Sequence, residues 1–317
     1  MSPPIDVAVV VATRDRAGRL AQLLDALERQ TLASERMEVV VVDDGSSDGT
    51  GELLAERADG PLPLRWVSQP QSRGPAAARN RGWRMTTAPL IAFTDDDCVP
   101  AEGWLEALLT LAAARPQAVV QGCTLPNPAE LEGLDAFAKT LTITGPSPHF
   151  QTCNIIYPRP ILEQLDGFDE AFPAPTGEDT DLGWRALEAG VVQLFAPDAL
   201  VYHAVHSRRP LAALKGALLA TEDLQAYKRN PALRSILPQG VFYDRAHPLL
   251  LQALFGAWLA TRRPEAAAFC LPYLLNLRSR CKASRAPLSS AAYFAAFDAL
   301  QMAATVRGAV RYRLPVI

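Results

Sequence analysis

Apolar runs rich in β-branched residues recur along the first hundred residues, and a polar turn follows each of them. The runs are residues 7–12, 38–42, 64–67 and 89–93. Continuous runs of this kind are typical of strands in a parallel sheet whose two faces are both covered. The pattern therefore predicts four buried strands in the first third of the chain.

Helical periodicity fills the segments between these runs. Leucines recur at helical spacing over residues 20–30, a second helix begins near Thr50, and residues 75–83 predict a third helix with Pro75 in its first turn. Strands that alternate with helices predict an open, mostly parallel α/β sheet. Such sheets bind ligands outside the carboxyl ends of their strands.

The pattern continues less regularly after residue 100. Further helices are predicted at residues 102–114, 159–165 and 179–189, and further strands at residues 118–123, 153–157, 191–195 and 199–203. Residues 125–149 hold several prolines and glycines around a short apolar helix, as in loops that form lids or acceptor surfaces. Beyond Pro210 the helices are rich in Leu and Ala. Their apolar stretches at 249–260 and 266–275 fall short of the roughly 20 residues that cross a bilayer.

The composition of the 317 residues excludes several classes of protein. A hydrophobic content of 49% supports a large core, and a formal net charge of -3 gives no general basic field for nucleic acid. The five cysteines are scattered and lack C-x-x-C spacing, which argues against a disulfide framework or a zinc site. The N-terminus has no basic segment before its apolar run, so it predicts a strand and not a signal peptide. We therefore expect a cytoplasmic protein.

Three consecutive carboxylates follow the fourth predicted strand directly. Asp95, Asp96 and Asp97 would repel one another, and burying them without a cation is costly. A divalent metal is the simplest remedy, and oxygen ligands favour Mg²⁺ or Mn²⁺. A solvated acidic turn is the alternative. Asp43 and Asp44 end the second predicted strand, so we expect them at the same edge of the sheet.

Two further groups carry candidate chemistry. Glu178 and Asp179 begin a predicted helix, where the helix macrodipole favours acidic residues and where capping alone could explain them. His203 ends a predicted strand, and His206 follows closely. A histidine in this position is structural at least as often as it is a metal ligand.

These motifs, as an ordered set, resemble those of the family 2 glycosyltransferases, which have the GT-A fold. The matching segments are residues 7–16, 42–50, 78–82, 93–97 and 177–179. The resemblance covers residues 5 to about 206, and residues 207–317 carry no family motif. It implies an α/β, GT-A type domain over residues 1–206, with a nucleotide-binding half at about 1–100 and an acceptor half at about 101–206. A helical C-terminal region at 207–317 follows.

The resemblance implies a nucleotide-diphospho-sugar donor, with a UDP-sugar favoured. Asp44, or its neighbour Asp43, would accept a hydrogen bond from the base, because an ionised acceptor makes a strong bond to an N–H edge. The alternative is that either carboxylate only caps the following turn. Arg79 would lie near the nucleotide or the diphosphate. The other residues implied to contact the donor are Thr13, Arg14, Asp95 and Asp96.

The resemblance also implies a metal held by a D-x-D pair. Asp97 would ligate a Mn²⁺ or Mg²⁺ ion that bridges both phosphates, and Asp95 would face the ribose or the metal. Asp96 lies between them and points the other way. His203 resembles a third protein ligand, with His206 as its competitor, and imidazole suits Mn²⁺ better than Mg²⁺. Cys98 stands where relatives often have another acidic residue.

Asp179 is the implied general base, with Glu178 as the near alternative, for an inverting displacement at the anomeric carbon. No Gln-x-x-Arg-Trp motif follows Asp179. Without that motif and without spanning helices, we expect transfer of one sugar in cell-surface glycan or glycoconjugate synthesis. The acceptor would be a glycan, a lipid-linked molecule or a small molecule. Trp184 either packs its helix or lines a wall on which a sugar stacks.

Other functions remain open at this point. A sugar-phosphate nucleotidyltransferase needs a glycine-rich basic loop after its first strand, and residues 13–18 do not form one. The hypothesis of a dinucleotide-dependent oxidoreductase has even less support, because no G-x-G-x-x-G follows a predicted strand. A catalytically inactive GT-A relative acting as a binding subunit is the third alternative. Its sequence would not need to retain Asp95, Asp97, Glu178 and Asp179 together.

The basic residues of the C-terminal region have two interpretations. Beside apolar helix faces, they would suit peripheral contact with the anionic inner face of a membrane through residues 249–285. A solvated basic face on a helical appendage is the alternative, and the commonness of such faces favours it. The residues are Arg262, Arg263, Arg278, Arg280, Lys282 and Arg285.

Overall fold

The computed structural model describes residues 5–172, 175–284 and 286–317. The chain divides into two compact units. The first unit comprises Met1–Leu131 and Thr140–Ala204, and the second comprises Glu132–Lys139 and Val205–Ile317. Of the predicted basic residues, Arg285 lies outside the described residues.

The first unit contains an eight-stranded sheet. Its strands are β1 Val7–Thr13, β2 Met37–Asp43, β3 Leu64–Ser68, β4 Leu90–Phe93, β5 Cys98–Pro100, β6 Ala118–Pro126, β7 Ile155–Pro158 and β8 Val192–His203. Their order in space is β3-β2-β1-β4-β7-β6-β8-β5. The pairs β1–β2, β1–β4, β2–β3 and β6–β8 are parallel, whereas β4–β7, β6–β7 and β5–β8 are antiparallel. The predicted mostly parallel α/β sheet is confirmed, and the antiparallel pairs make it a mixed sheet.

Helices pack on the sheet and build the second unit. In the first unit they are α1 Ala17–Glu28, α2 Thr50–Ala58, α3 Pro75–Arg84, α4 Trp104–Ala114, α5 Arg159–Leu165 and α6 Glu178–Glu188. In the second unit they are α7 Pro210–Lys215, α8 Ala220–Arg229, α9 Ala246–Ala260, α10 Leu271–Ala283 and α11 Ala291–Tyr312. Short 3-10 helices cover Ser34–Arg36, Pro128–Gly133, Gly216–Leu219, Pro231–Ile236, Pro238–Gly240, Pro264–Cys270 and Leu288–Ser290.

The central strand β1 is buried on both faces because alternate residues enter two different cores. Val7, Val9 and Val11 pack with the apolar faces of α1 and α4. Ala8 and Val10 point the other way and pack with α3, α5 and α6. An uninterrupted apolar run is the pattern that this two-sided burial requires.

The last strands of the sheet differ from the predicted ones. Residues 191–195 and 199–203, predicted as two strands, merge into the single strand β8, which begins at Val192. Pro197 lies between them and cannot donate a ladder hydrogen bond, and the register of β8 against β6 shifts at this point. The sequence does not predict β5, which pairs with the end of β8 and sets Cys98 opposite His203.

The second unit is helical, as the Leu/Ala-rich sequence predicts. Leu250 of α9 packs with Tyr273 and Leu277 of α10 in a common core. The apolar stretch 266–275 belongs to two elements, the 3-10 helix that ends at Cys270 and α10, which begins at Leu271. Within the described residues, no helix is both long enough and apolar enough to cross a membrane.

Candidate active site

The carboxyl ends of β1, β2 and β4 bring most of the predicted site residues to one edge of the sheet. Thr13 ends β1 and is in register with Asp43, the last residue of β2. β4 runs parallel to β1 and ends at Phe93, so residues 95–97 follow at the same edge. This edge is where open α/β sheets bind their ligands.

Asp44 anchors the loop that precedes α3. Its Oδ1 accepts hydrogen bonds from Gln69 Nε2 at 3.0 Å and from the Arg73 backbone N–H at 2.8 Å. Its Oδ2 accepts from Ser72 Oγ at 2.6 Å and from the Gly74 backbone N–H at 2.9 Å. A carboxylate offers about four acceptor positions, and these donors fill them. The contacts therefore favour the turn-fixing alternative for Asp44.

Asp43 has fewer hydrogen-bond partners. One of its oxygens accepts from the Ser46 backbone N–H at 2.9 Å and the other accepts from Ser68 Oγ at 2.8 Å. Each oxygen therefore keeps capacity for a further donor. Arg14, also predicted to contact the donor, is exposed and forms an ion pair with Asp15 at 3.6 Å, apart from these contacts.

Asp96 faces β1 and is held by two donors. Thr13 Oγ1 and Arg16 Nη1 each donate to it at 2.8 Å. Burial outweighs the nearby guanidinium and raises the pKa of Asp96 to about 6. The same Arg16 nitrogen donates to Asp97 at 2.9 Å. Sequence reasoning missed Arg16, although a basic residue in the turn after β1 faces the edge where the three carboxylates gather.

Arg79 links an acidic residue that follows β4 to one on α6. It lies on α3, is 7% exposed, and donates to Asp95 at 2.9 Å and to Glu178 at 3.0 Å. Burial opposes its charge, but the two carboxylates raise the pKa of Arg79 above its ordinary value. Arg79 is thus a buried bridging cation and not a surface charge. Asp95, predicted to face the ribose or the metal, bonds to Arg79 through Oδ1, and its side chain is 28% exposed.

Glu178 and Asp179 lie in the first turn of α6 and differ in their partners. Glu178 is buried and bonds to Arg79, while its Oε2 has no hydrogen-bond partner among the described residues. Asp179 accepts from the Thr180 backbone N–H at 2.8 Å. Burial, together with the charge of Glu178, raises the pKa of Asp179 well above its ordinary value. A raised pKa makes a carboxylate a stronger proton acceptor, which a general base requires.

Asp97, Cys98 and His203 form a buried group with the chemistry of a metal site. Their ligand atoms lie within 4.8 Å of one another, and His203 Nε2 is 3.6 Å from Asp97 Oδ1. His203 Nδ1 lies 2.9 Å from the carbonyl oxygen of Ala204 and donates to it, so Nε2 is the nitrogen that can ligate. One oxygen, one sulfur and one nitrogen donor fit Mn²⁺ or Zn²⁺ better than Mg²⁺.

The geometry separates the two candidate histidines. His203 lies in the group with Asp97, whereas His206 pairs through its backbone with Lys139 in the second unit. Cys98, interpreted from the sequence as a replacement for an acidic residue, joins the group because β5 pairs with β8. No sequence pattern near Cys98 predicts that pairing, so the sequence did not identify Cys98 as a candidate ligand.

Trp184 serves packing. Its indole N–H donates to the carbonyl oxygen of Pro148 at 2.8 Å, and its ring packs against the core that contains Leu182 of α6. Of the two roles considered for this tryptophan, the contacts match the packing of its helix.

The sheet and its acidic edge are those that a GT-A glycosyltransferase would have, and the sequence comparison agrees. Residues 8–165 match the family model described as glycosyl transferase family 2. The chain belongs to this family.

Two curated relatives show how far the similarity extends. The pre-mycofactocin glycosyltransferase of Mycobacterium tuberculosis (strain ATCC 25618 / H37Rv) is 34% identical over 62% of this chain and 42% of its own length. The validoxylamine A glucosyltransferase of Streptomyces hygroscopicus subsp. jinggangensis (strain 5008) is 28% identical over 81% of this chain and 64% of its own length. The chain therefore spans less than two thirds of either relative.

Solved structures extend the likeness over nearly the whole chain. A mannosyltransferase from Pyrobaculum calidifontis, in complex with GDP-Man and Mn²⁺, aligns with a TM-score of 0.62 at 21% identity and covers 98% of this chain and 88% of its own. TarS 1-349 of S. aureus, in complex with UDP-GlcNAc, aligns with a TM-score of 0.57 at 17% identity and covers 98% and 93%. These structures show a shared fold that includes the C-terminal helices.

Proposed function

We propose that the chain transfers a single sugar from a nucleotide-diphospho-sugar donor to an acceptor hydroxyl, with a divalent metal and with inversion at the anomeric carbon. The observation that carries the proposal is the position of Arg79. Through Asp95 and Glu178 it joins the D-x-D segment to the acidic pair of α6. The segment that leads into the metal-competent group and the segment that carries the candidate base are thus joined by one buried cation, and a metal-assisted displacement needs both groups at one site.

For the donor, we propose that Asp43 contacts the base. Its remaining acceptor capacity suits the N–H edge of a uracil-type ring, whereas four donors already fill Asp44. Thr13 and Arg79 would lie beside the nucleotide, with Arg79 offsetting the charge of the diphosphate. The solved neighbours are in complex with GDP-Man and with UDP-GlcNAc. Both are nucleoside-diphospho-sugars, and a UDP-sugar is our first candidate.

For the metal, Asp97 and His203, with Cys98, are the residues that would hold it. The ion, when bound, supplies Lewis-acid stabilisation of the charge on the leaving diphosphate. The chain contributes the orientation of the ring, because the Ala204 carbonyl oxygen fixes His203 Nδ1 and aims Nε2 at the group. Arg16, bonded to Asp97, offsets the negative charge of this edge.

For the proton, Asp179 is the proposed general base. As the acceptor oxygen bonds to the anomeric carbon, the bond from that carbon to the diphosphate oxygen breaks, and the hydroxyl proton passes to the Asp179 carboxylate. Glu178 is less suited to this role because one of its oxygens is bonded to Arg79. Both relatives described above are named for a compound that they glycosylate. We therefore place small-molecule acceptors ahead of glycan and lipid-linked acceptors.

The proposal is tested by Asp179→Asn, with Glu188→Gln at the exposed end of the same helix as the matched control. A thermal-shift panel of nucleoside diphosphates and their sugars, with and without Mn²⁺, first identifies the donor, because a ligand of the folded state raises its stability. Asp179→Asn is then expected to bind that donor normally and to release nucleoside diphosphate about 10²–10⁴ times more slowly. Glu188→Gln is expected to behave as the wild type.

Transfer by Asp179→Asn at the wild-type rate would refute the assignment of the base. Release of pyrophosphate from a nucleoside triphosphate would replace the proposal with a nucleotidyltransferase. Donor binding without turnover, with small-molecule, glycan and lipid-linked acceptors alike, would favour a binding subunit.

A further inference from the structure

The helices α9 and α10 carry apolar side chains on their outer sides as well as on their inner sides. On α9, Leu250 faces the core of the second unit. The opposite stripe has the spacing i, i+3, i+4, i+7 and consists of Leu251, Leu254, Phe255 and Trp258, which are 37%, 54%, 55% and 55% exposed. The outer stripe of a helix on a globular protein is usually polar.

The next segments extend this exposed surface. Leu277 of α10 is buried, whereas Leu271, Leu274 and Leu275 on its other side are each more than half exposed. The connecting 3-10 helix adds Phe269. We call these side chains the outer face; its members are Leu251, Leu254, Phe255, Trp258, Phe269, Leu271, Leu274 and Leu275. Exposed apolar side chains in this number mark a site of contact with another apolar surface.

The charged side chains of the segment that carries the outer face are mostly basic. Residues 246–284 contain five basic side chains and a single acidic one, Glu265. The Arg262 guanidinium lies 5.1 Å from the centre of the Trp258 ring, at the end of the α9 stripe. Arg278 and Lys282 continue the exposed stripe of α10 beyond its leucines. The border of the apolar surface is therefore cationic.

The basic residues of this segment are of two kinds, and Arg280 belongs to the kind that forms an ion pair within the fold. Its Nη1 bonds to both oxygens of the buried Asp298 at 2.7 and 2.8 Å, so it is a structural cation. Arg262, Arg263 and Lys282 are exposed and lie beside the outer face. A merely solvated basic face would not need exposed aromatic and leucine side chains next to it.

We propose that the outer face docks on an anionic lipid bilayer, with α9 and α10 lying in the plane of the interface. Trp258 and Phe255 would enter the boundary between headgroups and acyl chains, where aromatic rings are favoured. Arg262, Arg263 and Lys282 would meet the anionic headgroups. The apolar residues would contact the acyl chains of the bilayer, and the cations at their border would contact its anionic headgroups.

The test is co-flotation of the full chain with vesicles of phosphatidylcholine alone or with 30% phosphatidylglycerol. Binding is expected only to the anionic vesicles and is expected to weaken in 0.5 M salt. Arg262→Gln/Arg263→Gln is expected to lower the partition coefficient about 25-fold, about fivefold for each charge. Arg29→Gln, an exposed site on the first unit, is the charge control and is expected to leave binding unchanged.

A second measurement reports insertion directly. Phosphatidylglycerol vesicles with brominated acyl chains are expected to quench tryptophan fluorescence in the wild type and not in Trp258→Phe. The other four tryptophans are buried or half-buried in the first unit. Trp258→Phe keeps an apolar ring, so it is expected to float with the vesicles. Phe255→Ser/Trp258→Ser is expected to lose binding, whereas Val310→Ser, an exposed apolar site on α11, is not.

Two outcomes would overturn the proposal. The first is failure of the wild type to float with anionic vesicles. The second is self-association that Phe255→Ser/Trp258→Ser abolishes, without any quenching by brominated lipid, because the outer face would then cover a second copy of the chain. Neither result depends on the identity of the sugar donor.

Discussion

Replacing Arg79 by Met tests how much the ion pairs of Arg79 stabilise the first unit. In the wild type, one buried guanidinium bonds to Glu178 at 3.0 Å and to Asp95 at 2.9 Å. The Glu178 side chain is 6% exposed, whereas that of Asp95 is 28% exposed and partly solvated. Most of the loss therefore comes from Glu178. Removing one partner of a buried ion pair costs about 3–5 kcal/mol, and we expect the free energy of unfolding to fall by about this amount at neutral pH.

The stability loss in Arg79→Met is expected to depend on pH, because it arises from the charge of Glu178. Without Arg79, burial raises the pKa of Glu178 in the folded state further above the ordinary value of about 4.3 that the unfolded chain keeps. A carboxyl whose folded pKa is raised destabilises the fold above that pKa, and the penalty disappears as the pH falls towards the unfolded value. The gap between Arg79→Met and the wild type is therefore expected to narrow from pH 8 to pH 5.

The assay is urea unfolding followed by tryptophan fluorescence in a Trp258→Phe background. The four remaining tryptophans all lie in the first unit, so the signal reports that unit alone. Arg79→Met/Glu178→Gln removes both charges and is expected to recover most of the lost stability. Arg81→Met, on the exposed side of α3, is expected to stay within about 0.5 kcal/mol of the wild type. Full stability of Arg79→Met, or no recovery in the double variant, would refute the reasoning.

The remaining predictions concern the loop, the metal group and the base. Asp44→Ala leaves four donors without their acceptor and is expected to lower the free energy of unfolding by about 3 kcal/mol, measured by urea unfolding; a loss under about 1 kcal/mol would contradict the anchoring role. His203→Ala is expected to weaken Mn²⁺ binding in calorimetry without unfolding the chain, and His206→Ala is expected to leave it unchanged. Cys98→Ser should reduce Zn²⁺ affinity more than Mn²⁺ affinity, since thiolate is the softer donor; equal losses would remove Cys98 from the group. Because burial and Glu178 raise the pKa of Asp179, and a base must be ionised, the kcat/KM for transfer should fall with decreasing pH at values well above about 4. An acid limb near pH 4 would count against Asp179.

The strands that the sequence predicts best are those whose signal is local. Val7 to Val11 in β1 are apolar without interruption because both faces of the strand are covered, and that rule needs no knowledge of the partner strands. β5 has three residues, and its pairing depends on a strand about a hundred positions later, so nothing near Cys98 predicts it. Pro197 gives the opposite error, because it breaks the local pattern of β8 without ending the strand.

In the candidate site, too, the sequence predicts local features and does not predict contacts between distant residues. Asp43, Asp95 and Asp97 could be predicted because carboxylates at the ends of parallel strands meet at one edge. Their individual partners could not. Arg79 could have been a surface charge, and its bonds to Asp95 and Glu178 depend on the packing of α3 beside α6's first turn. Arg16 was missed for the same reason, since a turn residue gains a role only from the strand that ends next to it.

The four hydrogen bonds to Asp44 have a consequence for ligand recognition at this edge. Residues 69–74 form a polar loop that in isolation would sample many conformations, and fixing one backbone residue costs about 1–2 kcal/mol of conformational entropy. Asp44 fixes this loop when the chain folds. A molecule that binds here meets a loop that is already ordered, so its affinity is not reduced by that entropy. Asp44 can therefore strengthen binding through preorganisation without touching the ligand.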